Sequence, residues 1–296
     1  MWKPCYPKNN EEKEIQKRCD KVIKRDSLIY AGVTELAVII GLVCSICRDV
    51  PQRRLTYKAW LPYDHDTGIT YCTTYIYQYG ALVIGSLINI SYDTLVSGCM
   101  MQTCVQLEIF KHRMKNLCRI QRESYWKCQP LGMNIKAAIH IMTRRIVTEN
   151  IKHHIQIFRF AESANRIFAY TIFFQYSVSS IVICNGAHRL STVASFSPEF
   201  FTIIGYLMCM LMQILIFCYY GNVVIYKSTN ICNEIYAMDW QLLNQPTKKS
   251  LLIIMARTFK PIKFTSGHIV VLSLRSFNKL MKLSYSVYNV LHQRIS

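Results

Sequence analysis

The residue types that most often carry out chemistry are present in this sequence, but their spacing does not form a catalytic or zinc site. Most of the 13 cysteines lie in or beside apolar segments, where a free cysteine behaves as a small hydrophobic side chain. No C-x-x-C motif has a matching second pair, and adjacent His153 and His154 point to different helix faces. G-x-S-x-G, P-loop and H-E-x-x-H motifs are absent. We expect neither enzymatic activity nor a metal or cofactor; a disulfide between Cys72 and Cys184 is left open.

Two carboxylates lie within long apolar segments, where a charge is expensive. Glu35 lies one to two turns inside the first segment, and Asp93 lies about halfway along the second. A charge at the bilayer centre costs roughly 2.5–3.5 kcal/mol on insertion scales, so each needs a reason. An interhelical polar contact or a snorkelling position is the simpler interpretation, and a ligand or ion site is the alternative. Asn89 begins an Asn-Ile-Ser sequon at mid-membrane depth, where we expect it to stay unmodified.

The elements that must position these side chains are apolar segments of membrane-spanning length. A bilayer core of about 30 Å requires roughly 20 apolar residues at about 1.5 Å rise per residue. Four segments meet this requirement with at most one charge each, whereas a fifth carries Arg275, Lys279 and Lys282. The five segments are 28–47, 75–101, 167–184, 200–220 and 267–291. The sequence therefore predicts an all-α, polytopic membrane helix bundle with five spanning helices in a lipid bilayer.

Basic residues are distributed unevenly among the segments between the spans. Of the 35 Lys and Arg residues, 26 fall in 1–27, 107–166 and 221–263, whereas 5 fall in 48–72 and 187–198. Because Lys and Arg are retained on the cytoplasmic side, we expect a cytoplasmic amino terminus, an extracellular carboxy terminus and long cytoplasmic helical extensions. A G-protein-coupled receptor has the opposite orientation. The net charge of +18 is dispersed over several loops, which argues against nucleic-acid binding.

The last predicted helix carries a polar stripe beside an apolar one. Its polar side chains are Ser273, Ser276, Lys279, Ser284 and Asn289, with Arg275 and Lys282 extending the basic part of the stripe. A spanning helix with a polar face must turn that face to protein or to water. Two interpretations follow: the helix is buried within a monomeric bundle, or it lines a pore.

The order of motifs from Phe200 onward resembles the carboxy-terminal signature of insect odorant receptors. The uncharged helix ends in FCYYGN, whose last two residues are Gly221 and Asn222; family members have a YC-x-x-G-N pattern at this point. It is followed by NEIYAMDW, MARTFKP, SGHIVVLSLRSF and KLSYSVYNVL. These spaced elements together are more specific than any one of them. A W-x-P-x-D segment that begins at Trp60 is a further resemblance, although Trp and Tyr also form ordinary belts at membrane interfaces.

This resemblance implies seven helices, of which the chain lacks the first two. It also implies a plasma-membrane odorant receptor that binds small volatile ligands and gates a non-selective cation channel in a hetero-tetramer with an olfactory co-receptor. A truncated, non-functional copy is one alternative. A gustatory receptor of the same superfamily and a membrane transporter are two others. The gustatory T-Y-x-x-x-x-x-Q-F pattern is not reproduced in the final helix, and the Gly/Pro-broken paired helices of transporters are not evident.

The resemblance also implies a role for each region and for particular side chains. Residues 1–220 would form the membrane bundle with its ligand-pocket layer, 221–265 a cytoplasmic subunit anchor, and 266–296 the pore-lining helix and extracellular carboxy terminus. The implied odorant pocket contains Cys44, Tyr75, Tyr79, Val83, Phe173, Phe174 and Tyr206; the implied pore contains Ser284, Val287, Tyr288 and Leu291; the implied anchor contains Tyr236, Trp240, Leu252 and Met255. An apolar aromatic pocket suits volatile ligands, which lack strong polar handles.

Overall fold

A computed structural model describes residues 5–57, 60–63, 68–127, 133–194, 196–239 and 243–293, without the side chains of 121–127, 133–140, 191 and 291–293. The elements in chain order are α1 (Asn10–Arg48), α2 (Gly68–Lys127), α3 (Met133–Thr192), α4 (Pro198–Tyr236), α5 (Gln245–Thr258), β1 (Thr265–Ser266), β2 (Val270–Val271) and α6 (Leu274–Gln293). The all-α class predicted from the sequence is confirmed.

The first four helices are each long and apolar enough to cross a membrane. Helices α2 and α3 contain 60 residues each, which corresponds to about 90 Å, roughly three times the thickness of a bilayer core. Long helical extensions beyond the spans are therefore confirmed, and their cytoplasmic location stays a prediction. Helix α6 has 20 residues and does not qualify by hydropathy, in keeping with the charges that its sequence carries.

The chain divides into two compact units, each described by itself. The first unit, here called the extension unit, comprises 1–23, 98–170 and 219–272. The second, here called the membrane unit, comprises 24–97, 171–218 and 273–296. The second name is used because this unit holds most of the residues of the predicted spans.

The membrane unit buries polar side chains and exposes large apolar ones. Asp93 and Gln213 are 1% and 4% exposed, whereas Ile84, Ile88 and Phe174 are 60%, 64% and 68% exposed. A protein in water buries apolar side chains because each Å² removed from water contributes about 25 cal/mol. Lipid tails are as apolar as these side chains, so in a bilayer that driving force is absent. The surface therefore fits a lipid environment, and the chain is a multi-pass membrane protein.

The extension unit has an apolar core around a buried ion pair. Leu107, Phe110 and Ile157 are at most 1% exposed. Beside them, Nε and Nη2 of Arg113 donate to the two carboxylate oxygens of Glu12 at 2.9 and 2.8 Å. A two-pronged pair of this kind combines strength with a fixed geometry. It ties the first turn of α1 to the second half of α2.

The start of α5 is set by its local sequence. Asn244 is the N-cap residue, and its Oδ1 accepts the backbone N–H of Thr247 at 3.0 Å. Pro246 lies in the first turn, where its missing N–H costs nothing. The helix then buries Leu251 and Ile254, so one face of the predicted anchor segment packs within the extension unit.

The last helix begins later than predicted, at Leu274 rather than Gly267. Residues 265–271 instead form a hairpin, in which β1 and β2 are antiparallel and Thr265 is opposite Val271. At the turn, Gly267 and His268 have φ angles of 59° and 60°, a left-handed conformation that cannot continue a right-handed helix. The N–H of Gly267 donates to the carbonyl of Ala169 at 2.8 Å, which fastens the hairpin to α3.

Candidate functional site

The membrane unit contains a cavity of about 790 Å³, lined chiefly by α1, α2 and α4. Pockets for small molecules usually measure about 300 to 1,000 Å³. Along α1 the lining extends from Tyr30 to Arg48, a distance of about 27 Å in a helix. Much of the wall is apolar, with Val38, Leu82 and Ile203 among the contributing side chains. The cavity is therefore large enough for a small organic ligand and is mostly apolar.

Small residues keep this space open. Ala37 and Gly41 of α1 line the cavity, as do Ala81 and Gly85 of α2. A Cβ atom built on Gly41 or on Gly85 would meet no other heavy atom within 4 Å. Packing does not demand glycine at either position, so the missing side chains contribute directly to the volume of the cavity.

A hydrogen-bonded group, here called the Asp93 cluster, consists of Asp93, Asn89, Tyr30, Gln175 and Gln213. Asp93 accepts from Tyr30 Oη at 2.5 Å and from the two glutamine Nε2 atoms at 2.7 Å each. Both Nε2 atoms also donate to Asn89 Oδ1 at 3.3 Å. Buried charges are tolerated when they are hydrogen-bonded in this way.

The cluster joins four helices, since Tyr30 belongs to α1, Asn89 and Asp93 to α2, Gln175 to α3 and Gln213 to α4. The geometry is thus an interhelical polar contact, the simpler of the two interpretations of Asp93. Tyr30, Asn89 and Gln213 also line the cavity, so the cluster supplies a polar floor to an otherwise apolar space.

The other end of the cavity has a different polar character. Arg189 Nη2 and Glu199 Oε1 form an ion pair of 3.1 Å there. Tyr79 Oη donates to the carbonyl of Gly41 at 3.2 Å, which fixes the phenol ring against α1. Tyr57 from the loop after α1 completes this end. The aromatic and charged groups form a rim, whereas the amides and the carboxylate form the floor.

Three of the predicted ligand residues, Cys44, Tyr79 and Tyr206, line the cavity. Tyr75 lies next to it, because its Oη donates to the hydroxyl of Ser45 at 3.1 Å and Ser45 is a lining residue. The structure thus brings these four side chains to one cavity. Their contact with a ligand stays a prediction.

The other three predicted ligand residues, Val83, Phe173 and Phe174, are not among the described residues that line the cavity. Phe174 is 68% exposed on the apolar outer surface. The ring of Phe173 lies against it, with the centroids 5.9 Å apart. Their location differs from that of the other four because aromatic residues in a spanning helix occur on both its lipid face and its inner face.

Sequence reasoning missed several lining residues, namely Tyr30, Gly41, Gly85, Asn89 and Gln213. One signal was available, because Gly85 and Asn89 precede Asp93 at intervals of four residues, which places all three on one helix face. Gln213 was a second signal, as an amide within an uncharged span. No pattern indicated that glycine would create the volume.

The predicted pore residues occupy the second half of α6. Ser284 is buried, and Cys184 Sγ lies 3.6 Å from its hydroxyl. Val287 and Tyr288 are half-buried, and the ring of Tyr288 stacks on that of Tyr285 with centroids 6.5 Å apart. Leu291 lies in α6, but its side chain is outside the described part of the chain. The pore role of all four stays a prediction.

The predicted anchor residues lie at the end of α4 and on α5. Tyr236 and Leu252 are 75% and 55% exposed, and Met255 is half-buried. Trp240 lies outside the described residues. Arg257 of α5 packs over the ring of Phe158 of α3 at 4.1 Å, so α5 packs against α3 within the extension unit.

The open question of a disulfide has a structural answer. The 12 described cysteines are free, including Cys72 and Cys184. Cys184 instead contacts the hydroxyl of Ser284, as described above. Of the described thiols, those of Cys104, Cys118 and Cys218 are buried in the apolar core.

Comparison with known proteins identifies the fold and the family. Residues 4–285 match the family model for the 7tm Odorant receptor. Odorant receptor Or1 of Anopheles gambiae is 27% identical over 275 residues, which cover 89% of this chain and 66% of that receptor. Odorant receptor 46a, isoform A, of Drosophila melanogaster is 25% identical over 285 residues, covering 95% of this chain and 70% of that receptor. The chain thus spans about two thirds of the length of these relatives.

Solved structures of olfactory receptor OR5 from Machilis hrabei share the fold. The structure in complex with eugenol has a TM-score of 0.73 at 15% identity, covering 95% of this chain and 70% of that one. A second structure has a TM-score of 0.78 at 14% identity, covering 96% and 69%. The family match includes nearly all of the sequence, and the chain therefore belongs to the 7tm odorant receptor family.

Proposed function

We propose that the chain is an odorant receptor that binds a small volatile ligand in the membrane-unit cavity and gates a non-selective cation channel together with an olfactory co-receptor. One observation carries the ligand part of this proposal: a receptor-family chain has a mostly apolar cavity of about 790 Å³. Volatile molecules are small and weakly polar, so their affinity must come mainly from removing apolar surface from water.

Three aromatic side chains form an apolar wall near the rim of the cavity. Tyr57, Tyr79 and Tyr206 line it, and their rings offer large apolar faces to a ligand. The phenol of Tyr79 is held by its bond to the Gly41 carbonyl. A wall that is ordered before the ligand arrives loses less conformational entropy on binding, which favours affinity for a small molecule.

The channel part of the proposal rests on α6. This helix has Arg275, Lys279 and Lys282 along one stripe, while Phe277 and Leu280 pack against an apolar cluster of the membrane unit. Its opposite face requires water or another polar helix. Val287 and Tyr288 lie in the second half of α6 and off this stripe. In a tetramer, these two side chains from each subunit would form an apolar ring that closes the pore by excluding water.

Assembly and orientation complete the proposal. The exposed side chains of Tyr236 and Leu252, together with Trp240 and Met255, would contact neighbouring subunits. The basic residues concentrated in 1–27, 107–166 and 221–263 support a cytoplasmic amino terminus. The plasma membrane is the proposed location.

The test fills the cavity and compares the result with an equal change outside it. Gly85→Leu adds a side chain to the cavity, whereas Gly80→Leu adds the same side chain at a position of α2 that is exposed and not among the lining residues. Neither new Cβ meets an atom within 4 Å. Each variant is expressed with the olfactory co-receptor, and whole-cell currents are recorded over a panel of volatiles graded in size.

At equal surface expression, we expect Gly85→Leu to abolish responses to the larger volatiles. We expect Gly80→Leu to respond as the parent receptor does. The reason is that a leucine removes space that the larger ligands need. Identical responses from both variants would contradict the assignment of the cavity.

A further inference from the structure

The carboxylate of Asp93 determines how the amides around it are oriented. A carboxylate accepts hydrogen bonds but does not donate them. Gln175 and Gln213, each 2.7 Å away, must therefore present their nitrogen atoms to it. An independent contact agrees for Gln213, because its Oε1 accepts from the hydroxyl of Ser179 at 3.2 Å.

The orientation passes on to Asn89. Each glutamine Nε2 has a second N–H, and both Nε2 atoms lie 3.3 Å from one atom of the Asn89 amide. Two donors converging on one atom require an acceptor, so that atom is Oδ1. The nitrogen on the other branch of the same planar amide, Nδ2, consequently carries two N–H groups that are not used by the cluster.

The Nδ2 atom of Asn89 belongs to a residue that lines the cavity, and it is unpaired among the described side chains. Asn89 is a lining residue, and its Nδ2 has no hydrogen-bond partner among the described residues. It is also absent from the fully buried unpaired atoms of the described side chains. An amide nitrogen with two unused N–H groups, at the end of a mostly apolar space, is a ready hydrogen-bond donor for a bound molecule.

The neighbouring donors on the floor are already occupied. The hydroxyl of Tyr30 donates to Asp93, and the hydroxyl of Thr34 donates to the backbone carbonyl of Tyr30 at 2.9 Å. Gln213 uses its amide nitrogen on Asp93 and Asn89. Asn89 is thus the residue of the Asp93 cluster that can offer a hydrogen bond without giving up an existing one.

We propose that Asn89 Nδ2 is the polar recognition point of the cavity, and that it selects volatile ligands with a carbonyl or ether oxygen over hydrocarbons of the same shape. The proposal rests on the proposed function, because it takes the cavity to be the ligand site. A ligand carbonyl placed on the floor satisfies the donor, whereas a hydrocarbon leaves it unpaired. A neutral hydrogen bond of this kind corresponds to about a three- to tenfold difference in affinity.

The test uses a pair of ligands that differ in one heavy atom. Acetophenone has a carbonyl oxygen where isopropenylbenzene has a methylene carbon, so their shapes nearly coincide. Purified full chain in lipid nanodiscs is loaded with the fluorescent apolar probe phenylnaphthylamine, and each ligand is titrated to displace it. Empty nanodiscs correct for partition into lipid. Asn89→Leu removes the amide. Ser91→Ala is the matched control on the outer face of α2, where the Ser91 hydroxyl donates to the carbonyl of Leu87 in its own helix.

We expect acetophenone to displace the probe at about three- to tenfold lower concentration than isopropenylbenzene in the parent chain and in Ser91→Ala. The difference should vanish in Asn89→Leu. If that variant does not elute as a single species, Asn89→Ser replaces it with the same expectation, because a serine is too short to reach the same point.

The remaining outcomes separate the two proposals. If the probe binds but the two ligands are equal in the parent chain, or if the preference persists without Asn89, the selectivity inference is overturned and the cavity assignment stands. If the folded parent chain binds no more probe than empty nanodiscs do, the cavity assignment fails and the inference fails with it.

Discussion

A Cβ atom on Gly221 would lie 2.4 Å from the backbone oxygen of Leu272. Gly221 is near the middle of α4, and Leu272 directly follows β2. Leu272 is fully buried, and its N–H donates to the carbonyl of Phe264 at 2.9 Å. The hairpin is therefore seated against α4 at a point where only glycine permits the approach.

We predict that Gly221→Ala destabilises the chain by about 1–3 kcal/mol, because the hairpin backbone must move to admit the methyl group. The measurement is thermal unfolding in detergent. The control is Gly98→Ala in α2, where a Cβ meets nothing within 4 Å; there we expect no loss, or a gain of about 0.5–1 kcal/mol from better helix propensity. Equal stability of the two variants would show that the hairpin backbone moves to admit the methyl group without a cost in stability.

Asp93→Leu is predicted to lower the yield of folded receptor sharply. The change leaves the hydroxyl of Tyr30 and one N–H of each glutamine, Gln175 and Gln213, without an acceptor in a buried site, at a cost of about 1–3 kcal/mol for each group. Fluorescence-detected size-exclusion chromatography measures the folded fraction. Glu14→Gln, a change at an exposed carboxylate of α1, should elute as the parent does. A parent-like elution profile for Asp93→Leu would indicate that the cluster contributes little.

The pH dependence of stability is predicted from His153, which lies in the part of α3 before the predicted span. Burial lowers the pKa of His153 from 6.5 to about 3, with the charge of Arg113 acting in the same direction and that of Glu12 opposing it. Nearby charges from His154 and Lys8 also lower it. Burial lowers the pKa of His154 to about 4. Both imidazoles are therefore neutral in the folded chain.

Because the folded pKa values lie below 6.5, the unfolded chain binds more protons as the pH falls. The stabilisation is complete above about pH 6.5 and is lost progressively below it, by at most about 1.4 kcal/mol per pH unit for each histidine. Thermal unfolding between about pH 7 and pH 5 measures this slope. His153 Nε2 lies 2.8 Å from Oε1 of Gln106. We expect His153→Gln to reduce the slope, since a glutamine can still hydrogen-bond Gln106 but cannot take up a proton. An unchanged slope would exclude His153 as a source.

Tyr288→Ala is predicted to increase basal current or to alter cation selectivity in the complex with the co-receptor. Its ring, stacked on that of Tyr285, would narrow an apolar constriction, and its removal admits water. Whole-cell recording with cation substitution, normalised to surface expression, makes the measurement. Should basal current, permeability ratios and blocker sensitivity all stay as in the parent, α6 belongs to the buried bundle and not to the pore.

Leu252→Ala is predicted to weaken co-purification with the co-receptor while leaving ion selectivity unchanged. Leu252 is exposed on α5, and apolar side chains at the centre of an interface carry much of its binding energy. Lys249→Ala is the control, an exposed position on the same helix. Trp240→Ala should behave as Leu252→Ala does. Full recovery of the co-receptor with both variants would place these side chains outside the interface.

The helices were predictable because their signals are local. An uncharged run of spanning length, as at 200–220, depends on composition alone, and the long helix extensions follow from helix-forming sequence. The hairpin at 265–271 was not predictable in the same way. Its residues include Ile269, Val270 and Val271, which extend the apolar pattern of the next helix, and the turn is fixed by a bond to Ala169, far away in the chain.

The cavity, too, was only partly predictable from the sequence. Tyr79 and Tyr206 were predicted because aromatic residues stand out in a sequence, whereas Gly41 and Gly85 contribute by lacking a side chain. Asn89 was noticed only as a sequon. Its position relative to Asp93 and the two glutamines depends on the packing of four helices, which no spacing within one helix reveals.

The Asp93 cluster also imposes an order on how the receptor is made. Gln175 and Gln213 follow Asp93 by 82 and 120 residues, so a ribosome completes α2 well before either amide exists. Tyr30, which precedes Asp93 by 63 residues, is the one of its three described donors that is already in place. Until α3 and α4 enter the bilayer, the nascent chain holds a carboxylate with a single phenol beside it. We therefore expect the insertion of α3 and α4 to remove the cost of an underpaired carboxylate in α2, because only these helices bring the two amides to it.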